Sequence, residues 1–91
     1  MLPVIWRPAA DNQLLEIARF IADHDEVTAV QIVERIEAVA LLLSQHPYLG
    51  RAGRAAGTRE VLAQPNYWLI YRVKADAVEV LSVLHARQQY P

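Results

Sequence analysis

The residues best equipped for chemistry lie in the second half of the chain. Arg51, Arg54, Arg59, Arg72 and Arg87 supply fixed positive charge, and His85 adds the side-chain type that changes charge near neutral pH. Tyr90 follows within reach, with a phenol that can donate or accept a hydrogen bond. Guanidinium groups beside an acid-base residue can hold an anion and stabilise charge that grows on it during a reaction. Each residue also has a plainer reading. His85 ends an apolar run and can simply hydrogen-bond there, Arg59 and Arg72 can be cross-strand partners of Glu60 and Glu79, and Tyr90 sits beside the terminus.

Other chemistries lack their residues. His24, His46 and His85 fall in separate segments with neither an HExxH pattern nor any paired spacing, so no metal site is expected. No cysteine is present to build a disulfide or a thiolate site. Gly50, Gly53 and Gly57 precede a strand and lack the lysine-serine/threonine ending of a phosphate loop, and no cofactor is called for. The net charge is −1, but unevenly spread: residues 1 to 50 hold three arginines against seven acids, and residues 51 to 91 hold six cations against three acids. A basic second half is where a polyanion or an acidic partner would be met.

The elements that must position these residues emerge from periodicity. Leu2 to Trp6 is short, apolar and β-branched, and reads as a first strand with Pro3 at its start. Pro8 suits the first turn of a helix whose inner stripe is Ala10, Leu14, Ile17, Ala18 and Ile21, ending near Ala22 to His24. Asp25 then caps a second helix running to about Ser44, with Ala29, Ile32, Val33, Ile36, Ala40 and Leu43 facing inward. The short link makes the pair a helical hairpin. The far end of the second helix, around Leu41 and Leu42, is apolar almost all round and calls for cover.

Gln45 to Gly57 is punctuated as a loop. Thr58 to Ala63, Tyr67 to Val73 and Val78 to His85 then read as three strands joined by short turns, an antiparallel meander. Both faces of the last strand are apolar, so it should be central. The expectation is an α+β fold of order β-α-α-β-β-β, an antiparallel sheet packed against an N-terminal helical hairpin. Ninety-one residues suit one domain spanning 1 to 91. A hydrophobic fraction of 54% exceeds what so small a core can hold, which favours a partner or a second copy. With neither a leader nor a run long enough to span a bilayer, a cytoplasmic location without membrane contact is expected.

The segments His46-Pro47-Tyr48-Leu49-Gly50-Arg51, Gly57-Thr58-Arg59-Glu60, Tyr67-Trp68-Leu69-Ile70-Tyr71-Arg72-Val73 and Val78 to Gln88 together resemble the RelE/ParE toxin superfamily. Trp6-Arg7-Pro8-Ala9-Ala10 and Ile17 to Ala22 are similar to its helical hairpin, so the resemblance covers nearly the whole chain. It implies a toxin of a type II toxin-antitoxin system, silenced by a cognate antitoxin that wraps it, as a toxin-antitoxin hetero-oligomer or with a homodimer inside it. Leu41, Leu42, Tyr48 and Leu49 are the expected antitoxin surface.

The resemblance leaves two mechanisms open, because fold alone does not fix function. RelE-like members are metal-independent ribonucleases acting on mRNA at the ribosome, and on that reading Arg59, Arg72, His85, Arg87 and Tyr90 would form the catalytic set. ParE-like members inhibit DNA gyrase, and on that reading Arg51, Arg54, Arg59, Arg72, Arg87 and Gln88 would meet the target. Departures from the ribonuclease pattern favour the ParE-like reading. Arg59 and Val61 stand where many such nucleases carry a lysine pair, Trp68 stands where they carry an arginine, and the chain lacks their strongly basic character. A non-toxic module that only binds an antitoxin is the third reading.

Overall fold

A computed structural model describes residues 1–87. The order is β1 (Val4–Trp6), α1 (Pro8–Ala22), α2 (Glu26–Leu42), β2 (Arg51–Ala52), β3 (Arg59–Gln64), β4 (Tyr67–Val73) and β5 (Val78–His85). Pro8 occupies the first turn of α1, where its missing N–H costs nothing, and Asp11 places negative charge by the same end. At α2 the Asp25 carboxylate accepts from the Thr28 N–H at 3.2 Å and from the Thr28 hydroxyl at 2.8 Å, which satisfies an otherwise orphaned donor. The anticipated helical stripes are the ones that turn inward.

Those stripes cover one face of the sheet. Ala10 of α1 and Ile36 and Ala40 of α2 pack with Ala63, Leu69, Val80 and Val83, and Leu14, Ile17, Ile32 and Val39 border them. Small alanines at the contact let the helices approach the sheet closely. A second cluster of Leu43, Tyr71 and Val78 closes the end where the chain leaves α2. Leu69 is fully buried in the first cluster, so its truncation to alanine would cost about 2–5 kcal/mol.

The five strands lie in the order β1-β5-β4-β3-β2. Strands β2 to β5 pair antiparallel, and β5 sits between two neighbours as its two apolar faces require. The sheet as a whole is mixed, because β1 runs parallel to β5 with Val4 opposite Val78 and Trp6 opposite Val80. A three-residue apolar strand carries no mark of its direction; the helical hairpin that comes after β1 sets it. Part of the expected loop also pairs, as β2 lies at the edge of β3 with Arg51 opposite Glu60.

Beyond Val80, β5 loses β1 as a neighbour, and the Gln13 side chain of α1 accepts the Val83 N–H at 2.8 Å. The N-terminus is fastened by the buried Ser44, whose hydroxyl donates to the Leu2 carbonyl at 2.6 Å. A bulge in β5 shifts the register so that Ile70 faces Ser82 while Tyr71 faces Val80. The bulge lets Val80 and Val83 both point toward the helices.

Candidate functional site

The helices cover one face of the sheet and leave the other without helical cover. Along β4, Leu69 and Tyr71 face the helices, so the alternation of a strand turns Trp68, Ile70 and Arg72 outward. Register then sets three rows on this outer face. Leu62, Trp68 and Leu84 form the first, Arg51, Glu60, Ile70 and Ser82 the second, and Arg72 with Glu79 the third. A hollow of about 80 Å³ lies between the first two, lined by Arg51, Arg54, Glu60, Trp68, Ile70 and Leu84, with His85 at its rim.

Charge on this face is held in place from below. Glu60 is buried, and its carboxylate accepts from the Arg51 Nε–H at 3.0 Å while Arg51 stacks on the Trp68 ring at 4.5 Å. Glu60 therefore pairs with Arg51 on β2 and not with its chain neighbour Arg59, whose side chain leaves the opposite face of the strand. Glu79 lies opposite Arg72 in register, yet its carboxylate meets Lys74 at 3.7 Å and Arg7 at 4.0 Å. The pairing partners available from β2 and from the β4–β5 turn are invisible along the sequence, because a two-residue strand has no periodic signal.

The loop between α2 and β3 is fixed by Tyr71. Its buried hydroxyl donates to the Pro47 carbonyl at 2.8 Å and accepts the Gly50 N–H at 2.8 Å. Burial raises the Tyr71 phenol above its ordinary value, while the Gly50 bond and the nearby Arg59 charge act to lower it. Gly50 has no room for a side chain: a Cβ there would come within 2.6 Å of the Glu60 carbonyl and 2.8 Å of the Tyr71 oxygen. Arg59 donates to the Gly50 carbonyl at 2.7 Å and lies over the Tyr48 ring at 4.8 Å. Neither Tyr71 nor Gly50 stands out in the sequence as a site residue; a tyrosine at an inward strand position is the available signal, since a buried hydroxyl must find partners.

The arginines expected to act together are thus divided. Arg51, Arg54 and Arg72 belong to the outer face, and Arg59 is spent on the loop. Arg87 lines a separate recess with Gln13, Glu16, Phe20, Tyr67 and His85, beside α1. His85 packs edge-on against Tyr67 at 5.2 Å, and its Nδ1 accepts the Arg87 N–H at 3.1 Å. Gln88 and Tyr90 lie outside the described residues. Leu41, Leu42, Tyr48 and Leu49 are all exposed, Leu41 to 70%, on the end of α2 and the loop beyond it. Among the described residues no cluster of three or more metal-ligating side chains occurs, and no helix is long and apolar enough to cross a membrane.

The family model of the ParE toxin of the type II toxin-antitoxin system parDE matches residues 4–90. The chain belongs to the ParE toxin family. A candidate toxin of Sinorhizobium fredii, Y4kP, is 41% identical over 87 residues, covering 94% of this chain and 90% of its own length. The chromosomal ParDE system of P. aeruginosa superposes with a TM-score of 0.84 at 21% identity, over 96% of this chain and 98% of that one. A YoeB/ParE toxin of Agrobacterium tumefaciens gives a TM-score of 0.64 at 17% identity over 92% and 98% of the two chains. These solved structures share the ParE-type arrangement of a helical hairpin on a five-stranded sheet.

Proposed function

We propose that this ParE-family toxin acts by binding protein, with DNA gyrase as its target, and that a cognate antitoxin silences it in the cytoplasm. The observation that carries this reading is the dispersal of the groups a nuclease would need. Metal-free RNA cleavage requires a base, an acid and phosphate-holding cations converging on one point. Here Arg59 is tied to Gly50, Arg87 lies in the recess beside α1, and Arg72 lies two pairs of residues along β4 from Trp68, roughly 7 Å per pair. The first row of the outer sheet face is Leu62, Trp68 and Leu84, an apolar stripe suited to gripping another protein.

Residues 1 to 91 would act as one toxin domain. The antitoxin would cover Leu41, Leu42, Tyr48 and Leu49, which leave apolar surface uncovered at one end of the molecule. One chain of the E. coli DinJ–YafQ toxin-antitoxin complex has the fold of this chain, with a TM-score of 0.61 at 12% identity. That likeness supports a protein partner of this kind.

The ribosome-dependent ribonuclease is kept as a second reading by one observation: Arg51, Arg54 and His85 do border the same hollow. Induction of the chain in growing cells separates the readings. Gyrase poisoning gives filamentation with DNA-damage signalling and, with purified components, loss of supercoiling. Abrupt arrest of translation with cut mRNA would reject it in favour of the nuclease, and unimpaired growth would leave a non-toxic antitoxin-binding module.

A further inference from the structure

The outer sheet face is graded. Its first row, Leu62, Trp68 and Leu84, is apolar, with Leu62 47% exposed; its third row carries Arg72, with Arg7 and Lys74 gathered over Glu79. Anions and cations are not equally accessible there. The Glu60 and Glu79 side chains are 9% and 14% exposed, whereas those of Arg51, Arg7 and Lys74 are 67%, 56% and 50% exposed. Arg72 is exposed, and its side chain makes no hydrogen bond or ion pair with any described residue. A molecule approaching this face therefore meets positive charge, although carboxylates lie beneath it. The opposite side of the protein has the reverse sign: the helical hairpin holds Asp11, Glu16, Asp23, Asp25, Glu26, Glu34 and Glu37 against Arg19 and Arg35.

From this distribution we infer that the outer face of the sheet is a docking surface for an acidic, partly apolar segment of a partner protein, apolar side chains seated along Leu62, Trp68 and Leu84 and carboxylates meeting Arg51 and Arg72. The inference deepens the gyrase reading and rests on it for the partner's name, though not for the surface. Sheet-to-sheet docking of a second copy would set like positive charges against each other. Laying the acidic hairpin of one copy on the sheet of the next is complementary in sign, but it is a head-to-tail contact that builds rings or open chains of copies. Concentration-dependent self-association of the wild type would reveal such a contact and would overturn the assignment to a different protein. Single-stranded nucleic acid fits less well. Such ligands stack successive bases on a row of aromatic rings, and this face offers Trp68 alone among the described residues, with Arg51 already lying on one side of it. The buried Glu60 holds Arg51 over the indole, so the guanidinium is positioned before any partner arrives.

Two exposed positions test the two ends of the surface, Leu62→Glu in the apolar row and Arg72→Glu in the charged row, with Arg72→Lys as a charge-retaining control. Each full-length variant is compared with the wild type for growth arrest in cells, gyrase supercoiling inhibition and thermal melting, and for binding to a fluorescein-labelled oligothymidylate. The expected result is that Leu62→Glu and Arg72→Glu melt like the wild type and lose growth arrest, with inhibition about tenfold weaker or worse. Arg72→Lys should keep most of both activities. Full toxicity in both glutamate variants would overturn the docking surface, as would tight oligonucleotide binding that both variants abolish. If the wild type arrests growth without touching supercoiling, the gyrase reading fails, and the growth data alone then decide the surface.

Discussion

The Tyr71 hydroxyl accepts the Gly50 N–H at 2.8 Å across the junction between β4 and the loop that leaves α2. The same oxygen donates to the Pro47 carbonyl, so one side chain anchors both ends of a short stretch that carries Tyr48 and Leu49 outward. Replacing it as Tyr71→Phe keeps the ring in its fully buried place and strands a backbone donor and a carbonyl. A loss of about 1–3 kcal/mol is expected in denaturant unfolding. The pH dependence should change as well. Because burial raises the folded phenol above its ordinary value of 10.0, the unfolded chain ionises first. Stability is then fully present below that ordinary value and lost as pH climbs through the raised folded one, and the phenylalanine variant should lose less of its stability over that range.

Glu60→Gln removes the charge that fixes Arg51 while preserving shape. Arg51 is largely in water, so the pair is screened on that side and the stability cost should be about 1 kcal/mol or less. The larger effect falls on Arg51, which would leave the indole. Quenching of Trp68 fluorescence by added iodide reports this, and should increase in the variant; a Trp6→Phe background removes the other indole.

Leu41 and Leu42 belong to the surface proposed for the antitoxin; they are 70% and 46% exposed, and neither joins a core cluster. The double substitution Leu41→Glu with Leu42→Glu should leave melting unchanged, since neither contributes to the core, and should weaken antitoxin affinity by about tenfold or more in calorimetry. Unchanged affinity would place the antitoxin elsewhere.

Asp25→Ala removes the acceptor for two Thr28 donors at the start of α2 and should lower the melting temperature at neutral pH. Its carboxyl is held below the ordinary 3.8 by the Thr28 backbone bond first and the Thr28 hydroxyl second. A depressed folded value means a contribution present above that ordinary value and lost as pH falls through the depressed one. The gap between wild type and variant should therefore close in acid, as thermal melts at a series of pH values would record.

Much of this architecture is legible in residue order. Helical periodicity places both helices, residue type marks the Asp25 cap, and runs of β-branched and aromatic residues between turn signals bound β4 and β5. Two kinds of feature escape it. The direction of β1 depends on the helical hairpin after it, and a three-residue apolar run looks the same either way round. The division of the arginines depends on strand faces and on β2, whose two residues have no pattern of their own; once Arg51 pairs with Glu60, Arg59 is left to hold the Gly50 carbonyl. Charge counting along the chain groups residues that the fold sends to opposite sides of one sheet.

The pairing of Val4 with Val78 also bears on when this chain can fold during its synthesis. Local helices can form as soon as they leave the ribosome, but the first strand has no neighbour until the last one has been translated. Closure of the sheet therefore waits for the end of synthesis, and until Val78–His85 has been made the apolar face of the helical hairpin lacks the strand that covers it.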